Sequence, residues 1–344
     1  MLTVGPAPLS VLDLAPVATG STVAAALRNS LDLARHVERL GYLRHWVAEH
    51  HNMPGIASSA PAVLIAHLAS VTSTLRVGSG GVMLPNHQPL VIAEQFGMLE
   101  ALHPGRIDLG IGRAPGTDQV TAHALRRSLD PSADDLPKQL AELRAFFLGT
   151  YPRITAVPGS GHSPAIWLLG SSDFSARLAA ELGLPFSFAH HFMPQNTLAA
   201  LEIYRHHFQP SSTLPEPYAM IGVAVVCSDS DEHAHWLHGS AKLAFLRLRS
   251  GRPSTLPSPE EAAAYEYSPD EREFVDSWTA SHIVGSPETA RERLLELQQR
   301  TAADELMLTM NLHDHSDRLH SYELIAEAMA LSTGQWTSGS SRSG

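Results

Sequence analysis

The chain has one cysteine, Cys227, among its 344 residues. An intramolecular disulfide is therefore impossible, and a reducing compartment, the cytoplasm, is the expected location. It also lacks any cluster of Lys and Arg. With 24 basic against 35 acidic residues its formal charge is -11, which speaks against a nucleic-acid groove or an anionic membrane surface as partner. No apolar run approaches the ~20 residues of a membrane span, and Met1–Pro8 lacks the basic start and apolar core of a signal peptide. Disorder is excluded for most of the length, because 44% of residues are hydrophobic and the mean hydropathy is -0.06. Only 332–344, dominated by Ser, Gly and Thr, reads as a frayed tail.

What is present is an alternation of short β-rich runs and amphipathic helical stretches. Strands are expected at about 9–13, 43–48, 75–84, 106–111, 166–169, 185–189, 218–227 and 306–310. Helices are expected between them, at about 22–40, 60–72, 89–102, 134–148, 172–182, 195–208, 231–248, 287–300 and 317–331. In the first, Leu27, Leu31, Ala34 and Leu40 recur near the helical period and Gly41 is the stop signal. About eight such units without an internal boundary predict one α/β domain over 1–331, a (β/α)8 TIM barrel, with a doubly wound sheet as the alternative. The stretch 250–278, rich in Pro, Ser, Glu and Asp, breaks the alternation between the seventh and eighth strands. An insertion of that length is read as a mobile lid or a helical excursion.

Barrel enzymes work at the carboxyl ends of their strands, and polar or small residues collect there. Asp13 ends the first strand; Glu49, His50 and His51 end the second; Ser79, Gly80 and Gly81 lie in the third; Arg113 follows the fourth. Gly170, Ser171, Ser172 and Ser175 follow the fifth, His190 and His191 the sixth, and Asn311 and His313 the eighth. Serines at a helix start suit a phosphate, and Arg113 could supply its counter-charge, but simple N-capping and a surface arginine explain the same residues. The glycine pair inside an apolar strand marks either a bend or close approach of a ligand. Gly110-Ile-Gly-Arg-Ala-Pro-Gly116 misses the dinucleotide spacing by one residue and is set aside. A histidine beside a carboxylate at a rim suits proton transfer, which singles out His50 with Glu49. His233-x-His235 and His313-x-His315 raise a metal-dependent barrel hydrolase, but no closed ligand set can be assembled, so no metal is expected.

Together these stretches resemble the bacterial-luciferase-like flavin-dependent monooxygenases. The resemblance is carried by His45-Trp-Val-Ala-Glu-His-His51, Leu75-Arg-Val-Gly-Ser-Gly-Gly-Val-Met-Leu-Pro85 and Gly105-Arg-Ile-Asp-Leu-Gly-Ile-Gly-Arg113. Trp167-Leu-Leu-Gly-Ser-Ser172 and Ile283-Val-Gly-Ser-Pro-Glu288 complete it. It is closest to the subgroup found in bacterial secondary metabolism, where aromatic polyketides are oxygenated. The resemblance implies a (β/α)8 barrel and a reduced FMN supplied by a separate NAD(P)H:flavin reductase, since no nicotinamide fingerprint occurs here. It further implies O2 as co-substrate, a small organic substrate and a homodimer.

By the same resemblance His50 acts beside the flavin, with Glu49 orienting it. Ser79, Gly80 and Gly81 match the segment under the isoalloxazine, where the family has a non-proline cis peptide. Arg113 matches a residue of the phosphate and ribityl region, and Gly170, Ser171, Ser172 and Ser175 match the phosphate-binding helix start. Asp13, His191 and Asn311, at other strand ends, are the expected substrate contacts. The sequence departs from bacterial luciferase at Ser171, where luciferase has Glu, and at Gly80–Gly81, where it has a bulkier pair. The competing readings are a deazaflavin-dependent oxidoreductase on the same barrel and the metal hydrolase.

Overall fold

The computed structural model describes residues 5–114, 119–125 and 136–332. Its strands are β1 (Leu9–Asp13), β2 (Arg44–Val47), β3 (Arg76–Met83), β4 (Ile107–Gly112), β5 (Ala165–Gly170), β6 (Phe186–Phe188), β7 (Ala219–Cys227), β8 (Ile283–Gly285) and β9 (Glu305–Thr309). All pairings are parallel. They run β1-β2-β3-β4-β5-β6-β7-β9, and β9 returns to β1 through Leu9–Leu12 opposite Leu306–Thr309. That last ladder closes an eight-stranded barrel and removes the doubly wound alternative. β8 lies outside the ring, beside Val225–Cys227 at the far end of β7.

Around the barrel run α1 (Val23–Leu40), α2 (Pro61–Val71), α3 (Pro89–Leu102), α4 (Gln119–Ala124), α5 (Leu136–Leu148), α6 (Asp173–Glu181) and α7 (Thr197–His207). They are followed by α8 (Asp231–Arg249), α9 (Pro259–Ala263), α10 (Pro269–Thr279), α11 (Pro287–Thr301) and α12 (His315–Ala328). Local chemistry sets their limits. The Thr22 hydroxyl accepts from Ala25 N–H to start α1, and Gly41, at φ 87°, ends it in the left-handed region. Proline at the first turn opens α2, α3, α9, α10 and α11, where its missing N–H has no helical partner to lose.

Every residue of β1, β2, β4, β6 and β9 is buried, as expected of strands with helices on one side and a filled interior on the other. Inside the ring Leu12, Trp46, Ala48, Trp167, Met220 and Met307 form a small apolar cluster, with the two indoles edge-to-face at 5.2 Å. Below it, at the amino ends of the strands, lies a buried ionic network. Arg44 bridges Glu305 at 2.8 Å and Asp108 at 2.9 Å; Arg76 reaches Asp108 at 2.5 Å. Trp46, Ser10 and Tyr218 donate the remaining hydrogen bonds to the two carboxylates. Burial alone would raise the Asp108 pKa, but the guanidinium groups of Arg44 and Arg76 outweigh it and hold the carboxyl below its usual range.

The insertion is a helical excursion carrying α9 and α10. Its leading segment is tied to the loop after β1: Leu256 N–H donates to Val17 O at 2.9 Å and Thr19 N–H to Leu256 O at 2.8 Å. All eight expected strands occur. β8 and α4 were not anticipated, the former because three residues between a polar insertion and a helix carry no periodicity. The expected features at residues 1–4, at Pro115 and Gly116, at the start of the 134–148 helix and along the tail beyond Ser332 lie outside the described residues. Among the described residues no helix is long and apolar enough to cross a membrane.

Breaking the internal network by Arg44→Met should destabilise the fold by about 3–5 kcal/mol, because two carboxylates lose their shared cation in a buried setting. Lys242→Ala, which removes a surface pair with Asp276, should change stability by less than about 1 kcal/mol. Urea unfolding of the two variants checks the contrast, and equal losses would contradict it.

Candidate active site

A cavity of about 910 Å³ opens at the carboxyl ends of the strands, at the upper end of the ~300–1,000 Å³ range of small-molecule sites. The structure brings His50, Gly80, Gly81, Arg113, Gly170, Ser171, Ser172, Ser175, His191 and Asn311 to its wall. It does not bring Asp13, Glu49 or Ser79 there; all three are completely buried beside it.

The glycine pair forms part of the wall because side chains are excluded. A Cβ on Gly80 would stand 2.6 Å from a Leu12 methyl carbon, and one on Gly81 would stand 2.7 Å from the Gly110 carbonyl oxygen. The bond between them is cis. Ser79 supports the pair from behind, its hydroxyl donating to Gly110 O at 2.9 Å and joining β3 to β4.

Next to it stands the start of α6. Ser172 has the extended backbone of an N-cap, yet its hydroxyl makes no capping hydrogen bond. By contrast Ser230, Ser258, Ser268 and Ser286 each cap their own helices in the usual way. The close approach of Ser175 requires Gly170, since a Cβ there would overlap the Ser175 side chain. Arg113 reaches across from the end of β4 with its guanidinium 4.6 Å from the Phe174 ring centre. Asp173 Oδ1 accepts from the Phe174 N–H at 2.9 Å, and the other N–H groups at this positive helix end, three hydroxyls and one arginine are the kind of donor set that holds a phosphate. Of the two readings open to these serines, capping is not the one the Ser172 side chain adopts.

Strand alternation separates the carboxylate from its neighbour in sequence. In extended chain, residues two apart share a face, and Glu49 accordingly holds His51 at 3.0 Å, together with His87 at 2.9 Å and Met83 N–H at 3.0 Å. His50 takes the other face and lines the cavity. Burial would raise the Glu49 pKa, but His87, the Met83 amide and His51 more than cancel it and keep the group ionised. Glu49 thus ties β2 to the turn after β3. His87 has no sequence signal of its own among 20 histidines.

Asp13 is turned away from the cavity. Arg318, itself buried, donates to it at 2.7 Å, and the carboxylate also accepts from Ala15 N–H. Burial opposes ionisation there, but the arginine dominates and holds the carboxyl far below its usual range. The expectation that Asp13 meets substrate gives way to a role in joining β1 to α12.

The opposite wall is apolar and carries three histidines. His191 donates its Nδ1 proton to Gly222 O at 3.0 Å, and burial pushes its pKa down to about 4. His238 and His282 were missed by sequence reasoning, because they sit in α8 and just before β8 rather than at barrel strand ends. Phe245 and Trp278, stacked at 3.7 Å, complete that wall. Among the described residues lining the cavity, Arg113 is the one permanent charge and there is no carboxylate.

Cys227 is buried and pushed up to about 12, chiefly by burial, which makes an unreactive thiol. Among the described residues no three His, Cys, Asp or Glu side chains converge on a possible metal position. His233 bonds Ser228, His313 meets Thr19 O and His315 pairs with Asp32.

A family model described as luciferase-like monooxygenase matches residues 8–304. YvbT of Bacillus subtilis (strain 168) is 54% identical over 322 residues, covering 93% of this chain and 96% of the relative. A protein of Escherichia coli (strain K12) named luciferase-like monooxygenase is 50% identical over 317 residues, 92% and 95% of the two chains. Among solved structures, apo-MsnO8 superposes with a TM-score of 0.88 at 41% identity over 95% of this chain and 99% of that one.

The buried histidines also set an acid limit. His190, His191 and His282 are each pushed from an ordinary 6.5 to about 4, first of all by burial. The unfolded chain then binds more protons between those values. The stability they contribute is complete above pH 6.5 and is lost as pH falls toward 4. The urea midpoint should therefore be lower at pH 5 than at pH 7; identical midpoints would show that these imidazoles do not titrate with folding.

Proposed function

Since the chain belongs to the luciferase-like monooxygenase family, we propose that this oxidoreductase uses reduced FMN and O2 to oxygenate a small organic substrate. The flavin is reduced elsewhere, by an NAD(P)H:flavin reductase acting as a diffusing or transient partner. The observation that carries the cofactor assignment is the uncapped start of α6 facing Arg113 across the cavity wall from Gly80–Gly81. The residues fit a flat ring with a phosphate tail. Ser171, Ser172, Ser175 and Arg113 would hold the phosphate, and Gly80–Gly81 would leave room for the ring.

Reduced flavin, when bound, supplies the electrons that activate O2, one atom going to the substrate and the other to water. The protein's own share is positioning and exclusion of water. His50, on the cavity wall, holds or passes a proton, and Glu49 keeps the loop that presents it in place. Leu256 and Trp278, at the two ends of the α9–α10 excursion, form part of the cavity's cover. His191 and Asn311 face the substrate side.

The setting is read as cytoplasmic secondary metabolism, and the active form as a homodimer. Support for the dimer lies on α2 and α3, which leave Val63, Val91, Met98 and Leu102 exposed. Val91, Met98 and Leu102 follow one helical stripe, and a second copy would cover it. Met98→Glu combined with Leu102→Lys should yield a monomer by light scattering; an unchanged mass, or a monomeric wild type, would refute that interface.

For the cofactor, anaerobic titration should show reduced FMN binding to the wild type roughly tenfold more tightly than to Arg113→Met, a loss of about 1.4 kcal/mol. Reduced riboflavin, which lacks the phosphate, should bind both alike. Admission of O2 should then oxidise bound flavin more slowly than free flavin. Equal affinity of the two proteins for reduced FMN, or retention of a reduced deazaflavin in its place, would overturn the assignment.

A further inference from the structure

The phosphate and ring positions occupy the β3–β5 side of a cavity that extends well beyond them, toward β7, β8 and α8. At that end His238 Nε2 and His282 Nδ1 lie 3.0 Å apart, with both residues about nineteen-twentieths or more buried and both on the cavity wall. Neither has a role in holding a flavin, and neither braces the barrel. The His282 Nε2 atom is buried without any hydrogen-bond partner, a condition that native interiors avoid because an unmet polar group costs about 1–3 kcal/mol.

Resting on the monooxygenase reading, we propose that the His238–His282 pair is the substrate-orienting element, selecting an uncharged, largely apolar or aromatic molecule through one hydroxyl or carbonyl oxygen. The logic is one of proton counting. Two neutral imidazoles carry two N–H protons, and one of these lies in the bond between them. If His238 donates it, His282 Nε2 bears the other proton and His238 Nδ1 is a bare acceptor. If His282 donates, the roles reverse. In either arrangement the outer nitrogens offer one donor and one acceptor, and a concerted change of tautomer in both rings exchanges them. A hydroxyl or a carbonyl therefore finds a complement without any change of charge.

The surroundings favour that neutral state and a neutral guest. Burial pushes His282 down to about 4 and His238 well below its ordinary range, with His282, Lys242 and His235 adding to the effect on His238 and His191, Lys242 and His190 to that on His282. Lys242 itself is paired with Asp276 at 2.9 Å outside the wall. The rest of this end is apolar: Phe245 and Trp278 stack face to face, Trp278 meets His282 edge-on at 4.6 Å, and Val284 lies alongside. A carboxylate brought here would lose its water against a wall with no cation, which is strongly unfavourable. The stacked pair lines this end with aromatic surface for the body of the ligand instead.

Three matched probes test the proposal with the full-length protein at pH 7.5: 2-naphthol, 2-naphthoate and naphthalene, followed by tryptophan quenching and calorimetry. The expected result is measurable 2-naphthol binding, with 2-naphthoate at least roughly tenfold weaker. His282→Leu should weaken 2-naphthol roughly tenfold while leaving naphthalene unchanged, and His282→Gln should restore most of the difference. Circular dichroism and unchanged reduced-FMN affinity confirm that the variants are folded. Absence of 2-naphthol binding, equal binding of the anion, or a loss in His282→Leu shared equally by naphthalene each overturns the proposal. The readout needs neither flavin nor O2. Failure of the reduced-FMN titration and failure here are therefore separate results.

Discussion

The ladder between β9 and β1 turns an open parallel sheet into a ring, and every later feature depends on that closure. A closed ring has two ends with different demands. At the amino ends, Arg44, Arg76, Asp108 and Glu305 fill the interior as a mutually neutralised network, with Trp46, Ser10 and Tyr218 meeting the remaining lone pairs. Above them the indoles of Trp46 and Trp167 complete the packing. The carboxyl ends are left unfilled, and the cavity is the result.

Two kinds of chemistry divide that cavity. One wall is rich in backbone: glycines without side chains, a helix start whose Ser172 hydroxyl makes no capping bond, and a single arginine. The opposite wall is rich in rings: stacked Phe245 and Trp278 and three imidazoles kept uncharged by burial. The first wall suits an anion attached to a flat ring, and the second suits a neutral guest. Glu49 and Asp13, which neighbour wall residues in sequence, are withdrawn from the cavity by His51, His87 and Arg318. No negative group therefore meets either ligand from the described walls.

Much of this could be read from the residues alone where the controlling interaction is local. Thr22 and Gly41 mark the two ends of α1 because caps depend on one side chain or one φ angle. The eight barrel strands follow from apolar runs, and the glycine pair and serine cluster mark ligand contacts through the absence of bulk. Position at a strand end was a poorer guide to side-chain direction. Asp13, Glu49 and Ser79 each occur within one residue or two of a true wall residue, but alternation turns them away from the cavity. Pairings over distance left no trace in sequence. His238 finds His282 across 44 residues, and Arg44 finds Glu305 across 261.

The placement of the ionic network carries an evolutionary consequence. Stability is concentrated at one end of the barrel and ligand contact at the other, with an apolar layer between them. Substitutions at the rim, among residues such as Phe245, Trp278 or Asn311, leave the network's partners untouched, and energetic effects at well-separated positions add nearly independently. A lineage built on this architecture can therefore diversify its guests by altering rim and excursion while inheriting the closed base unchanged.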